Sequence, residues 1–281
     1  MTSRRAALWL ALPPAICLTA FFVLPLLGMG LTSLAGGPGP DQAGFSLAQY
    51  RQLLGQAHLR RELWQTTAAS AAVGLLAVLL AYPLAWYLAF RAGRRKGLLL
   101  LLLLAPGWVS YLLRIFAWKL LLGTGGTINR VLLALGLIAE PAPWLLYSLG
   151  AVVAVLVYVW IPFAALPIFA ALERIDRSLL EAAADLGARP WQAFRRITLP
   201  LSLPGVSAAF CLVFVPTLGE YVTPQLVGGT KGLLYGNLIQ SQFQKAMNWP
   251  LGAAMSFVLL LVALPAMLLL ARAGRLDLGE A

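Results

Sequence analysis

The segment EAAADLGARPWQAFRRITLP, residues 181–200, separates two long apolar runs. It contains charged residues, one glycine and two prolines, whereas the whole chain of 281 residues is 60% hydrophobic and only 11% charged. Because a soluble domain carries about 25% charged residues, this composition predicts an integral membrane protein. The segment is therefore a polar insert between membrane spans.

Six segments of the chain are long and apolar enough to cross a membrane as helices, which needs about 20 mostly apolar residues. The sequence therefore predicts an all-α integral membrane protein with a single membrane domain over residues 1–281. The first apolar stretch is too long for a signal peptide, so we interpret it as an uncleaved span. The predicted spans cover residues 6–34, 66–90, 98–122, 145–170, 203–223 and 250–272.

The distribution of positive charge predicts the orientation of these spans. Six is an even number, so both termini lie on the same side of the membrane. With the termini inside, 13 of the 21 Lys and Arg residues lie inside and 6 lie outside, while Arg114 and Lys119 stay within or near the third span. Since positive residues favour the cytoplasmic side, we expect cytoplasmic termini and a cytoplasmic insert.

The first half of the insert is predicted to form a short helix. Ser178 and Glu181 fit the S-x-x-E capping box, which places the helix start near Leu179. Gly187 is a natural end for that helix. Its apolar stripe consists of Leu179, Leu180, Ala183 and Leu186.

The second half predicts another short helix. Pro190 suits a first helical turn, and Leu199-Pro200 with Pro204 are expected to end the helix. A helix of about eight residues is roughly 12 Å long, whereas the hydrocarbon layer is about 30 Å thick. Neither helix can span, so we expect the pair at the membrane surface. The apolar face of the second helix carries Trp191, Phe194 and Ile197.

The insert resembles the EAA signature of permease subunits of binding-protein-dependent ABC importers. That signature is EAA, three residues, Gly, nine residues and Ile-x-Leu-Pro, and every fixed position matches. The resemblance implies that residues 173–202 form a coupling region, which docks into a groove on a separate ATPase subunit. The residues implied in coupling are Glu181, Ala182, Ala183, Asp185, Gly187, Ile197, Leu199 and Pro200.

The same resemblance implies a fold and a set of partners. The fold would be the type I ABC importer transmembrane domain, with a peripheral helix at 6–34 and a translocation core at 66–272. The implied partners are a second homologous permease subunit, two ATP-binding cassette ATPase subunits, a periplasmic solute-binding protein and the lipid bilayer of the inner membrane, with no nucleic acid. The chain has no G-x-x-x-x-G-K-[ST] phosphate loop, so ATP and magnesium would bind to the ATPase chains. We expect no cofactor, metal or catalytic residue in this chain.

Three further stretches resemble the spermidine/putrescine-type permeases. They are WVSYLLRIFAWKLLLGTGGTIN (108–129), PTLGEYVTPQLVGG (216–229) and NLIQSQFQKAMNWPLGAAMS (237–256). The resemblance implies a polyamine such as spermidine or putrescine as the solute. Because related permeases for other small charged solutes share these stretches, an aminophosphonate, thiamine or ferric iron is the alternative.

Glu220 is the only acidic residue within or at the edge of a predicted span. A charge in that position is costly unless it faces protein or water. One interpretation is that Glu220 lines the pathway and attracts a cationic amine; the other is that it accepts hydrogen bonds from backbone groups freed at nearby helix breaks. Candidates for additional cation–π contacts are Tyr158, Trp160 and Tyr221.

Arg114 also has two interpretations. It either extends toward the outer interface, or forms a gate contact or an ion pair with Glu220. Lys119 is expected to extend toward the interface. Both cations suit an anionic solute better than a polyamine.

Two other classes of protein are weighed against an importer subunit. An ion-coupled secondary transporter needs several intramembrane carboxylates or an inverted repeat, whereas the spans have one carboxylate and no evident repeat. A membrane enzyme needs a cluster of catalytic side chains, and the single histidine, His58, lies in a predicted loop. The sequence therefore favours transport by alternating access without bond chemistry.

Overall fold

The computed structural model of the chain describes residues 12–36 and 44–276, with side chains as far as residue 268. Within these ranges the chain is helical apart from its connections and an isolated bridge between Ala35 and Phe45. The first six residues of the predicted first span, and the glycine- and proline-rich stretch 37–43, lie outside the described residues.

The described residues include eleven α-helices. They are α1 (Leu12–Ser33), α2 (Ala48–Gly55), α3 (Ala57–Phe90), α4 (Lys96–Leu104), α5 (Tyr111–Leu122), α6 (Thr127–Ala134), α7 (Leu149–Glu173), α8 (Arg177–Asp185), α9 (Pro190–Leu218), α10 (Tyr235–Gln244) and α11 (Trp249–Leu276). Five of them are long and apolar enough to span a membrane, and the bent pair of α4 and α5 makes a sixth candidate. The predicted all-α membrane fold is confirmed.

The third span is broken, which differs from the single helix predicted over 98–122. The axis turns by 85° between α4 and α5. Pro106 and Gly107 lie in a 3₁₀ turn after α4, and Val109 has an extended backbone with ψ 139°. Proline removes a backbone donor and glycine weakens the helix, so the regular helix stops here and α5 begins anew after Ser110.

The fifth span is longer than predicted at one end and shorter at the other. The prediction was 203–223, whereas α9 begins at Pro190 and ends at Leu218. Gly219 follows as the C-cap residue, and a separate helical segment containing the π-helical turn Pro224–Gly228 comes next. Hydropathy alone missed both ends, because the helix starts in the polar insert and the apolar run continues past the break.

The described residues fall into two compact units. One contains residues from Met1–Arg61 and Leu238–Leu261, and the other contains residues from Glu62–Asn237 and Val262–Ala281. The main hydrophobic core belongs to the second unit, where α7 contributes many fully buried side chains.

A close helix contact of this second unit joins α9 to α7. Gly205 of α9 lies against Pro167 and Ala171 of α7, so closely that an added Cβ at Gly205 would stand 2.4 Å from the Ala171 Cβ. This crossing fixes the position of the membrane part of α9, and therefore of both segments that flank it.

Candidate functional site

The first insert helix, α8, begins two residues earlier than predicted. Its N-cap is Asp176, whose Oδ1 accepts a hydrogen bond of 3.0 Å from the Ser178 backbone N–H. The predicted capping box of Ser178 and Glu181 is therefore wrong. Aspartate is among the strongest N-cap residues, and with Asp176 in that position Ser178 lies inside the first turn.

We expect Asp176→Ala to loosen the first turn of α8. The hydrogen bond from the Ser178 amide holds the pKa of Asp176 below its usual value. This stabilisation is therefore present at neutral pH, above the pKa of the unfolded chain, and is lost as the pH falls through the lowered pKa of the folded state. Hydrogen exchange of the Ser178 amide should be roughly fivefold faster in the variant at pH 7, and the difference should narrow in acid, where the carboxyl is protonated and is a weaker acceptor. Asp176→Asn, which keeps the acceptor oxygen, should exchange slowly at both pH values; equal rates for all three proteins at pH 7 would rule out the cap.

Gly187 ends α8 as predicted and creates the turn of the insert. Its φ is +78°, in the left-handed region that favours glycine. The Gly187 N–H donates to the Ala184 carbonyl at 2.9 Å, and the Ala188 N–H donates to the Ala183 carbonyl at 2.9 Å. This pair of bonds is the Schellman motif, so the signature's small residues and its glycine together build one closed turn.

The second insert helix does not end at Leu199-Pro200 and Pro204, as was predicted. It starts with Pro190 in its first turn and continues without interruption to Leu218. Residues Phe194–Thr198 form a π-helical segment, in which the Leu199 N–H donates to the Phe194 carbonyl. A π-helical segment shifts hydrogen bonding by one residue, which accommodates the missing donor of Pro200.

The coupling residues implied by the signature separate into an exposed group and a half-buried group. The turn and the outer face of α8 are open, and the Leu186 side chain is 89% exposed. The exposed residues are Glu181, Ala182, Asp185 and Gly187, and the half-buried ones are Ala183, Ile197, Leu199 and Pro200. The predicted apolar stripe of α8 is thus only partly packed, since Leu179 and Leu186 are both exposed.

The inner face of the insert borders an apolar groove of about 590 Å³. Trp191 and Phe194 of α9 stack at 5.3 Å between ring centroids, and Tyr82 of α3 meets Phe194 edge-on at 5.8 Å. Arg177 donates to the Ala89 carbonyl at 3.4 Å. The insert is therefore anchored to the end of α3 by its inner face, and its outer face is free.

Glu220 lies at the break that follows α9. Its Oε1 accepts hydrogen bonds from the backbone N–H groups of Val222, at 2.8 Å, and Thr223, at 3.0 Å. This is the backbone role weighed for Glu220 from the sequence. The carboxylate is half-buried. Neighbouring Tyr221 is 40% exposed, and its carbonyl accepts from Asn237 Nδ2 at 2.7 Å.

Arg114 is buried in α5, with 9% of its surface exposed. The ion pair found among the described residues joins Lys96 to Glu173, and Arg114 forms none with Glu220. Of the two interpretations of Arg114, extension toward the outer interface does not agree with this burial, and the ion pair with Glu220 is not formed in this structure. Instead, Arg114 lies over the Tyr111 ring at 5.8 Å, and the Tyr111 hydroxyl is 2.7 Å from Thr223 Oγ1.

The structure thus brings two of the predicted pathway regions together and leaves the others apart. Arg114 and Glu220 are connected through Tyr111 and Thr223, which sequence reasoning missed, although Tyr111 lies one helical turn before Arg114. Tyr158 is 37% exposed and packs against Trp118 at 5.3 Å. Trp160 is half-buried beside Phe163 at 5.8 Å.

The described residues form helices able to span a membrane and a structured, exposed helix–turn–helix insert, the arrangement of a multi-pass membrane protein. The chain belongs to the binding-protein-dependent transport system inner membrane components, a family that residues 81–276 match. It is therefore a multi-pass inner-membrane permease, the non-catalytic transport component of an ABC importer.

Relatives and solved structures agree with this assignment. Over 232 residues the chain is 40% identical to the spermidine/putrescine transport system permease protein PotB of Escherichia coli (strain K12), covering 83% of this chain and 84% of that protein. It is 39% identical over 233 residues to the inner membrane ABC transporter permease protein YdcU of the same organism, covering 78% and 73% of the two chains. A bacterial ABC transporter involved in the import of the acidic polysaccharide alginate shares the fold, with a TM-score of 0.73, 18% identity and coverage of 97% and 96%.

Proposed function

We propose that this permease translocates a polyamine, spermidine or putrescine, delivered by a periplasmic solute-binding protein. The observation that carries the proposal is the 40% identity to a spermidine/putrescine permease over 83% of the chain. The half-buried carboxylate of Glu220, beside the exposed ring of Tyr221, supports a cationic solute. Carboxylates pair with ammonium groups, and aromatic rings add cation–π attraction.

We further propose that α8 and the Gly187 turn dock onto an ATPase subunit. The complete importer would contain two ATPase subunits, this chain and a second homologous permease. The exposed Glu181 and the 89% exposed Leu186 support this assignment, since nothing in the described chain covers them.

The excess of Lys and Arg in the segments assigned to the inside supports cytoplasmic termini. Residues 6–34 would then be a peripheral helix, and residues 66–272 the core of one membrane domain.

Transport follows as a shift between two packings of the same helices. ATP draws the ATPase subunits together, and their motion acts on the Gly187 turn. Because α9 is a single helix from Pro190 to Leu218, movement at the turn is transmitted to the break that carries Glu220. Partners that bind one packing more tightly than the other drive the exchange.

Uptake by the reconstituted importer tests the solute. In proteoliposomes containing both permeases and the ATPases, with binding protein and ATP supplied, we expect uptake of radiolabelled spermidine to depend on both additions. Unlabelled putrescine should compete, whereas thiamine, ferric iron and an aminophosphonate should not. Spermidine uptake driven by an ion gradient without ATP would instead identify a secondary transporter.

An anionic solute such as an aminophosphonate is the second candidate, and one observation favours it. The guanidinium of Arg114 is buried with no ion pair among the described residues, and such a cation attracts an anion. ATP-dependent uptake of the aminophosphonate, together with no uptake of spermidine, would establish this candidate and exclude the polyamine.

A further inference from the structure

The Arg114 side chain has an unsatisfied charge. It belongs to the first turns of α5, directly after the break in the third span. Its Nε and Nη1 are buried and have no hydrogen-bond partner among the described residues. Removing the counter-ion of a buried charge is strongly destabilising, and the start of a helix adds further positive potential. A buried guanidinium in this position therefore needs an anion for at least part of the transport cycle.

The nearest connected carboxylate belongs to Glu220. The Arg114 guanidinium lies 5.8 Å from the centre of the Tyr111 ring, and the Tyr111 hydroxyl is 2.7 Å from Thr223 Oγ1. The Thr223 N–H donates in turn to Glu220 Oε1 at 3.0 Å. One tyrosine and one threonine therefore connect the cation to the carboxylate.

We propose that the break in the third span is a carboxylate-binding site centred on Arg114, and that its occupant is Glu220 in the second packing of the permease. In the packing described here, Glu220 is half-buried and bonded to backbone N–H groups. When the Tyr111–Thr223 hydrogen bond opens, the Glu220 carboxylate leaves those groups and pairs with the guanidinium. The Glu220 carboxylate accepts backbone hydrogen bonds in one packing and pairs with the guanidinium in the other. Because it has partners in both, the two packings can exchange.

This proposal rests on the proposed function, because it assumes alternating access and a cationic solute. Glu220 attracts the solute's ammonium group in the first packing. Arg114 then takes the carboxylate in the second packing and displaces the ammonium group. The internal pair therefore explains how a pathway that contains a buried arginine releases a polycation: the guanidinium is neutralised when the solute leaves.

A double-mutant cycle on the assembled importer in proteoliposomes tests the pair. Arg114→Gln and Glu220→Gln should each lower spermidine uptake by about tenfold or more. The double variant should be no worse than Glu220→Gln alone, because Arg114→Gln removes an interaction that Glu220→Gln has already removed. Lys119→Gln is the matched control, since Lys119 is a half-buried cation of the same helix that lies over the Tyr147 ring at 6.0 Å. When Lys119→Gln is combined with Glu220→Gln, the fold-losses in spermidine uptake of the two single variants should multiply, as they do for independent sites.

A second measurement distinguishes an exchange between two packings from a merely structural role of Arg114 and Glu220. Tyr111→Phe removes the bond to Thr223, so the second packing should become easier to reach. We expect ATP hydrolysis without binding protein to rise by about fivefold, the worth of one hydrogen bond. Two results would overturn the proposal. One is a double variant whose fold-loss in uptake equals the product of the losses in Arg114→Gln and Glu220→Gln. The other is an unchanged rate of ATP hydrolysis in Tyr111→Phe. Failure of the polyamine assignment looks different, because the unaltered importer would then not take up spermidine, while hydrolysis by Tyr111→Phe would still rise.

Discussion

Gly187→Asp is expected to abolish ATP-driven uptake while the permease still inserts, folds and assembles. Gly187 has φ +78°, in the left-handed region where aspartate is less stable than glycine, although it is tolerated there better than most residues. The cost falls on the turn alone, because an added Cβ at Gly187 would meet nothing within 4 Å. The turn therefore changes shape and gains a negative charge at its exposed tip, while the membrane helices keep their packing. ATP hydrolysis should continue, uncoupled from uptake of radiolabelled spermidine.

The chain provides a matched control for this variant. Gly93 also has positive φ, +51°, and an added Cβ there also meets nothing within 4 Å, but it lies in a different exposed connection. Gly93→Asp should therefore keep most of the uptake. Gly187→Asn isolates the charge, because asparagine tolerates the left-handed conformation, and it should transport better than Gly187→Asp. Normal uptake by Gly187→Asp would count against docking at this turn.

Patterns that depend on local residues were readable from the sequence. The end of α8 at Gly187 and the start of α9 at Pro190 follow from the backbone preferences of glycine and proline. The N-cap was misread because Ser178 and Asp176 both offer a capping oxygen, and a single sequence does not say which one precedes the first helical residue. The general position of the spans followed from their apolar composition.

Features that depend on packing were not readable. Pro200 normally ends or kinks a helix, and only the π-helical segment before it lets α9 continue. Glu220 and Arg114 were considered as an ion pair, since both are charges near the membrane. That Tyr111 lies between them depends on where the broken third span meets the segment after α9, and such a contact between distant segments leaves no periodic signal.

The length of α9 connects the two parts of the site. Its 29 residues correspond to about 44 Å at 1.5 Å per residue. One end adjoins the Gly187 turn, and the other adjoins Gly219 and Glu220. In the proposed mechanism, a displacement of the insert would therefore reach the Glu220 break through one helix. The contact of Gly205 with α7 lies between these ends, and at this contact α9 is held against α7.

Gly205→Val is accordingly expected to prevent the permease from folding. A Cβ at Gly205 would stand 2.4 Å from the Ala171 Cβ and 2.6 Å from the Pro167 carbonyl oxygen, so α7 and α9 must separate. Overpacking a well-packed core typically costs about 1–3 kcal/mol, and the loss here should be at the upper end or beyond, because one of the obstructing atoms belongs to the backbone. Fluorescence-detected size-exclusion chromatography should show an aggregated or absent peak where the unaltered protein is monodisperse.

Gly28→Val is the control for Gly205→Val, and Gly205→Ala is a smaller change at the same position. Gly28 lies in α1, and an added Cβ there meets nothing within 4 Å, so the same substitution should leave the chromatographic peak and the melting temperature nearly unchanged. Gly205→Ala adds only the obstructed Cβ, and it should still fold, with a melting temperature below that of the unaltered protein. If Gly205→Val melts like Gly28→Val, α7 and α9 do not approach this closely in the membrane. In that case α9 cannot transmit movement from the insert by turning about this contact.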